Sequence, residues 1–207
     1  MRSLINLILL LCCFGLSAQQ VLDKNISVLI DKYAVDLVLK CEIIVEINVD
    51  GMKIPNKTIF VDFEEGKRPK VKGKGLSLLP KKGMLNQFRE LFSTPMQAIF
   101  LGKKDDNFVY KLVSLDNNSK WVTADITFDD TTFQIYETVI NTRRQGSFKA
   151  VHTYQESKYP TKSVITFEVK KFKMPLKFIG RKEELSSFPK KDENVLGEII
   201  LTYTYLD

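Results

Sequence analysis

Histidine, glycine and proline are scarce in this sequence, and each scarcity excludes a class of protein. The 207 residues include a single histidine, His152, so catalytic zinc and iron centres that need several imidazoles are excluded. Ten glycines and seven prolines are too few for a fibrous or low-complexity chain. The GxSxG nucleophile elbow of many hydrolases is also missing from the sequence. A binding protein is therefore favoured over an enzyme.

The N-terminal segment has the features of a secretory signal peptide. Arg2 supplies a positive start, residues 4–14 are apolar except for Asn6, and small residues follow up to Ala18. This apolar run is shorter than the ~20 residues that a helix needs to span a bilayer. We therefore expect residues 1–18 to be cleaved, which leaves no transmembrane segment in the mature chain.

Cysteine is scarce as well, because cleavage would remove two of the three cysteines and leave Cys41. A lone cysteine cannot form an internal disulfide, so stability must come from the core. With 44% hydrophobic residues and 14 phenylalanines, the chain can furnish one. Cys41 lies in a run of alternating apolar residues, which indicates a buried thiol. No linker or repeat interrupts the sequence, so residues 19–207 are predicted to form a single domain.

The clearest structural signal is an alternation typical of a long strand with one dry face. Between Val35 and Val49, every second residue is apolar, and Asp50-Gly51 then indicates a hairpin turn. A second strand continues the apolar face. The apolar positions of both strands include Leu37, Leu39, Cys41, Ile43, Val45, Ile47, Val49, Ile59, Val61 and Phe63.

Further runs of β-branched and aromatic residues follow one another without intervening helices. We predict strands over residues 108–115, 121–128, 132–140, 148–154, 163–172 and 195–205. This order favours an antiparallel meander over parallel βαβ units. The predicted fold class is α+β and mainly antiparallel β, an incomplete, half-open β-barrel of about eight or more strands.

Two amphipathic helices are also predicted. The first, an N-terminal helix, runs from Val21 to about Tyr33. The second is a short helix over residues 82–92, which ends before Thr94-Pro95. A curled sheet must have its apolar concave face covered. If the helices fill the concavity, the protein has a simple core; if they cover only its mouth, a cavity for an apolar ligand remains.

This arrangement resembles the LolA-like superfamily of bacterial outer-membrane lipoprotein carriers. The resemblance lies in Gly73-Lys74-Gly75-Leu76, in Leu79-Pro80, and in the stretch from Trp121 to Pro160, where residues 129–135 are similar to the family's turn between two strands. It implies an incomplete barrel with a helical lid, a periplasmic location and carriage of acyl chains without catalysis. No cofactor or metal is implied.

The candidate lipid-binding residues fall into two sets. The lid set is Met84, Leu85, Phe88, Leu91, Phe92 and Met96, in which flexible thioethers and aromatic rings suit an irregular apolar ligand. The wall set is Leu37, Leu39, Ile43, Val45, Ile59, Val61 and Phe63. The same patterns are typical of a packed core, so the sequence leaves both interpretations open.

The expected ligand is a lipid or an acylated lipoprotein, with an inner- or outer-membrane protein as a further partner. The net charge of +6 suits anionic head groups or acidic proteins, and export argues against nucleic acid. The protein is expected to be periplasmic or secreted. The alternative function is an interaction or sensor module whose interior is filled. His152 lies on the same parity as Phe148 and Tyr154, which favours a satisfied structural histidine over a catalytic one.

Overall fold

The computed structural model of the protein describes residues 22–34, 39–49, 54–63, 70–72, 88, 91–144, 146–168 and 196–206. The predicted signal peptide and the motifs at residues 73–80 lie outside these ranges. Three candidate site residues, Leu37, Met84 and Leu85, also lie outside them. No helix in the described ranges is long and apolar enough to cross a membrane.

The described elements are one helix and ten strands. They are α1 (Lys24–Ala34), β1 (Leu39–Val49), β2 (Lys57–Phe63), β3 (Lys70–Lys72), β4 (Met96–Lys104), β5 (Asn107–Ser114), β6 (Trp121–Asp129), β7 (Ile135–Thr142), β8 (Ser147–Thr153), β9 (Lys162–Glu168) and β10 (Leu196–Leu206). Phe88, Leu91 and Phe92 are also helical; we call these three residues the Phe88 segment.

The predicted N-terminal helix is confirmed, but it begins later than the sequence pattern indicated. Asp23 precedes the helix, and its Oδ1 accepts a 2.8 Å hydrogen bond from the backbone N–H of Asn25. Its carbonyl accepts the N–H of Ser27 at 2.9 Å. An aspartate that satisfies the free N–H groups of the first turn acts as a cap, so α1 starts at Lys24 rather than at Val21.

All ten strands form one antiparallel sheet in the order β3-β2-β1-β10-β9-β8-β7-β6-β5-β4. From β4 to β10 each strand pairs with the next, as the predicted meander requires. The last strand then pairs with the first, from Lys40 opposite Leu206 to Val49 opposite Gly197. The order ends at β3 and β4, so the described sheet is open, which confirms a half-open barrel.

The alternation in β1 determines which side chains face the interior. Cys41, Ile43, Val45, Ile47 and Val49 are all buried, as predicted. Ile44 lies between two of them on the opposite face of the sheet and is 39% exposed. The parity read from the sequence is therefore confirmed.

The strand β4 was not predicted, and Met96, which we assigned to the lid set, is its first residue. Its central residues Ile99, Phe100 and Leu101 are all exposed. An edge strand carries fewer packing constraints than a central one, so its sequence shows no clean alternation. The short strand β3, at the other edge, was missed as well.

The predicted start of β7 at Thr132 was wrong, because a turn occupies these residues. Asp129 Oδ1 accepts hydrogen bonds from the backbone N–H groups of Thr131 at 3.0 Å and Thr132 at 2.6 Å. Phe133 adopts a φ of 55°, in the left-handed region that no strand uses. The strand therefore begins at Ile135. Of the predicted strand 163–172, the part after Glu168 lies outside the described residues.

The close contact between Gly197 and the ring of Phe167 provides a test of the sheet register. A Cβ added there would lie 2.5 Å from Phe167 Cζ, and Phe167, the cross-strand partner of Gly197 in β9, is buried. We expect Gly197→Ala to lower the free energy of unfolding by about 1–3 kcal/mol, because overpacking forces the ring to move. Urea denaturation measures this loss. Adding Phe167→Leu should restore part of it, and an unchanged midpoint for Gly197→Ala would contradict the register.

Candidate functional site

Two apolar clusters cover the inner face of the sheet. The first, which we call the helix cluster, joins α1, the Phe88 segment and strands β4–β7. Its buried members include Ile26, Leu29, Tyr33, Phe88, Leu91, Phe92, Met96, Tyr110, Leu112, Ala124, Ile126, Phe128 and Ile135. The second, the strand cluster, contains Cys41, Ile43, Val45, Ile47, Val49, Ile59, Val61, Ala150, Ile165, Phe167, Ile199, Leu201 and Tyr203. Every described member of the strand cluster belongs to the sheet.

The structure places the two predicted sets of site residues in different clusters. The described lid residues Phe88, Leu91, Phe92 and Met96 belong to the helix cluster. The described wall residues Ile43, Val45, Ile59 and Val61 belong to the strand cluster. Leu39 is half-buried at the start of β1, and the side chain of Phe63 lies outside the description. A shared cavity between the two sets stays a prediction.

Strand β8 is the border between the clusters. Phe148 packs against both of them. Two residues further along the strand, Ala150 belongs to the strand cluster. His152 follows on the same face, and its ring centroid lies 5.1 Å from that of Phe88 in an edge-on arrangement. The lid residue Phe88 therefore connects the helix cluster to this border.

Phe88 is held between two rings and is only 2% exposed. On the side of α1, the ring of Tyr33 lies 5.2 Å from it, centroid to centroid. On the side of the sheet lies His152. Aromatic pairs at these separations add to the stabilisation that burial alone gives. None of these contacts is a hydrogen bond, so the segment packs on the sheet through ring contacts here.

Tyr33 also fastens α1 to the sheet through hydrogen bonds. Its hydroxyl lies 3.2 Å from the hydroxyl of Tyr154, which donates to the carbonyl of Ile135 at 2.9 Å. The backbone N–H of Ile135 donates to Tyr33 Oη at 3.2 Å. Burial raises the pKa values of both Tyr33 and Tyr154, so both phenols remain protonated donors. This anchor fixes the helix beside the Phe88 segment.

Beneath Phe88, the apolar face contains a buried polar group of three residues, which we call the polar trio: His152, Ser163 and Tyr203. His152 and Ser163 are cross-strand partners in β8 and β9, and His152 Nδ1 lies 2.9 Å from Ser163 Oγ. Burial raises the pKa of Tyr203, while the Ser163 hydroxyl, which lies near the phenol oxygen but not in hydrogen-bond geometry with it, acts in the opposite direction. All three side chains are buried.

The polar trio is only partly satisfied. His152 Nε2 and the Tyr203 hydroxyl have no hydrogen-bond partner in the described part of the chain. The expectation of a fully satisfied structural histidine was therefore wrong for one of its two nitrogens. Ser163 and Tyr203 were not predicted from the sequence, although each shares the parity of buried apolar neighbours in its strand. The contact between Ser163 and His152 depends on how β8 and β9 pair, which the alternation within one strand does not show.

The titratable groups buried on this face are uncharged at neutral pH and can act as hydrogen-bonding partners. Burial lowers the pKa of His152 to about 4, so the imidazole is uncharged at neutral pH. Burial also raises the pKa of the Cys41 thiol to about 11, which keeps it protonated and unreactive, as predicted. Among the described residues, no three metal-ligating side chains come together.

The depressed pKa of His152 predicts a loss of stability in acid. An unfolded histidine binds a proton near pH 6.5, whereas the folded one does so only near pH 4. The free energy of unfolding is therefore unaffected by the titration of His152 above pH 6.5 and decreases as the pH falls from 6.5 toward 4. The total decrease is about 3 kcal/mol. Urea denaturation between pH 7 and pH 5 should show this slope in the wild type, since the chain has a single histidine.

The matched variant is His152→Gln, whose amide can still reach Ser163 but does not titrate. It should show a flatter dependence over the same pH interval. Equal slopes for the two proteins would mean that His152 is not the group responsible.

Comparison with known proteins adds information about the fold. No protein-family model and no curated protein sequence matches the chain. Among solved structures, a LolA superfamily protein from Nitrosomonas europaea superposes with a TM-score of 0.52 at 8% identity, covering 86% of this chain and 90% of that one. A DUF1329 family protein from Desulfovibrio piger superposes with a TM-score of 0.52 at 8% identity, covering 87% of this chain and 89% of that one.

At such low identity, these likenesses concern the fold. They extend over most of each chain, and the architecture they share is the open antiparallel sheet described above. The fold that the sequence resemblance implied is thus confirmed, and the protein has a LolA-like fold.

Proposed function

We propose that the protein is an exported, non-enzymatic carrier that binds a lipid, or the acyl part of a lipoprotein, on the inner face of its half-open barrel. It would act in the periplasm after removal of residues 1–18. Loading and release would involve a partner at the inner or outer membrane. The likeness to a LolA superfamily protein supports this proposal, and its physical basis is the strand cluster.

The observation that carries the proposal is the extent of this apolar face. It runs across β2, β1, β10, β9 and β8, and neighbouring strands contribute aligned apolar rows such as Ile59, Ile43 and Tyr203. The buried helical residues of the described ranges belong to the other cluster. A broad apolar sheet face must be covered by other apolar groups. The members of the strand cluster are already buried within the protein, so in this proposal an acyl chain replaces part of their existing cover.

The energy available from such binding is sufficient. Burial of each methylene contributes about 0.8 kcal/mol, so a chain of about a dozen methylenes gains about 10 kcal/mol before the cost of association is subtracted. No charged contact is needed for useful affinity.

In this proposal, Phe88 is the part of the lid that separates the two clusters. It contacts Tyr33 on one side and His152 on the other through ring packing. Displacement of Phe88 would expose the border at β8 without breaking a hydrogen bond of its own side chain. A ligand entering there would meet the strand cluster directly.

Extraction of the purified protein with organic solvent, followed by mass spectrometry, tests whether the interior holds a ligand. We expect a lipid in stoichiometric amount from protein expressed with its export signal. If extraction yields none, uptake of a fluorescent fatty acid by the same protein distinguishes an empty binding site from no site. Failure of both assays would refute the carrier function.

A pair of substitutions in β1 tests where the ligand binds. Ile43→Asp places a charge on the buried face and should abolish uptake of the fluorescent fatty acid, because an unpaired carboxylate is costly in an apolar environment. Ile44→Asp is the matched control, since Ile44 lies on the outer face of the same strand, and should bind normally. Phe88→Asp tests the lid in the same assay. Normal uptake by folded Ile43→Asp and Phe88→Asp variants would contradict this location.

The alternative function, an interaction module with a filled interior, is favoured by the edge strand β4. Its exposed residues Ile99, Phe100 and Leu101 form an apolar edge to which an extended segment of a partner protein could add a strand. Leu101→Lys places a charge on this exposed edge and leaves the inner face intact, so it should not affect the uptake of fatty acid by a carrier. Retained uptake by this variant supports the carrier, whereas absence of uptake by the wild type favours the interaction module.

A further inference from the structure

The inner face is apolar except at a few positions, and two of the buried side-chain atoms without a hydrogen-bond partner in the described part of the chain lie in the polar trio. His152 is 3% exposed, its Nδ1 is occupied by Ser163, and its Nε2 is free of partners in the described part of the chain. The Tyr203 hydroxyl is likewise buried and unpartnered there. Buried polar groups are normally hydrogen-bonded, so each exception requires an explanation.

The topology places these two groups on either side of Ser163. Ser163 lies opposite His152 in β8 and opposite Leu201 in β10. Tyr203 follows Leu201 by two residues and therefore lies on the same face, diagonal to Ser163. Its backbone N–H donates to the carbonyl of Thr161 at 2.9 Å, which holds β10 beside the start of β9. Two unpartnered groups thus flank one serine.

The surroundings determine what kind of ligand group fits there. Within the described ranges, no Asp, Glu, Lys or Arg side chain is buried. The imidazole is held neutral by its burial, and the phenol of Tyr203 is held protonated. A charged ligand group at this position would lose its hydration without gaining a counter-ion from the described side chains, which is costly. An uncharged hydrogen-bond acceptor would lose much less.

We propose that His152 and Tyr203, oriented by Ser163, bind the carbonyl oxygen of an acyl ester or amide whose hydrocarbon chain lies on the strand cluster. This rests on the carrier function proposed above and specifies its ligand: an esterified or amidated acyl group rather than a free fatty acid.

The hydrogen bonds of the trio are consistent with such a ligand. When the Ser163 hydroxyl donates to His152 Nδ1, the proton of the neutral ring lies on Nε2, which becomes a donor. The Tyr203 hydroxyl is a second donor. A carbonyl oxygen has two lone pairs and can accept both hydrogen bonds, which would satisfy the two unpartnered groups together. Phe88, in contact with the histidine ring, would cover the bound group.

The test compares two matched probes, a fluorescent anthroyloxy-stearic acid and its methyl ester, titrated into the full mature protein at a pH of about 8, where the free acid is ionised. We expect the wild type to bind the ester about tenfold or more tightly than the acid, because only the acid must bury a charge. Tyr203→Phe removes a single hydroxyl and should weaken ester binding by about three- to tenfold. Binding of the acid should change little.

Two further variants control for effects on folding. Tyr110→Phe also removes one buried hydroxyl, but this hydroxyl donates to Asp23 at 2.8 Å in the helix cluster, so it should lower stability and leave the preference for the ester unchanged. Tyr203→Phe should show the opposite pattern, with stability retained and preference reduced. His152→Leu removes the second donor and should reduce the same preference if Tyr203→Phe fails to fold.

The outcomes distinguish this inference from the function on which it rests. Equal affinities for ester and acid, or an ester preference that survives both Tyr203→Phe and His152→Leu, would overturn the carbonyl site and leave the carrier function standing. Failure of the wild type to bind either probe would overturn the carrier function itself.

Discussion

The pairing of β10 with β1 is the constraint on which the rest of the structure depends. It joins the first and the last strands of the sheet in chain order, with Leu206 opposite Lys40 and Gly197 opposite Val49, and it connects the β1–β3 hairpins to the meander from β4 to β10. Without it, the strand cluster would be divided, because Cys41, Ile43 and Val45 lie on one side of this seam and Leu201 and Tyr203 on the other. Such long-range pairing must overcome the entropy of closing a long loop.

Packing on the inner face then separates into two regions with different partners. The helix cluster is a conventional helix-on-sheet core, fastened by Tyr33, Tyr154 and the backbone of Ile135. The strand cluster consists of sheet residues throughout its described part. Phe88 and His152 meet where the two regions adjoin. The apolar face, the ring that covers its border and the polar trio beneath that ring are therefore neighbours in one small part of the molecule, which is why we connect them in one function.

Sequence patterns predicted the central strands well because their two faces have different environments. The parity of β1 is confirmed from Cys41 to Val49. Local hydrogen bonding decided two boundaries that periodicity misplaced: Asp23 caps α1, and Asp129 holds the turn before β7. The edge strand β4 escaped prediction because exposed residues such as Phe100 and Leu101 interrupt its alternation. In these places, side-chain hydrogen bonds or the absence of a packing partner outweighed the pattern.

The sequence alone determined the fold class, the parity of the long strands, the inert character of Cys41 and the membership of Phe88, Leu91 and Phe92 in an apolar helical stripe. These properties follow from the residues themselves and their near neighbours along the chain. Tertiary structure decided that the lid and wall residues fall into two clusters, that Ser163 lies against His152, and that Tyr203 lies beside them. Such contacts depend on strand register, which is set by cooperative pairing across the whole sheet and not by any short stretch of sequence.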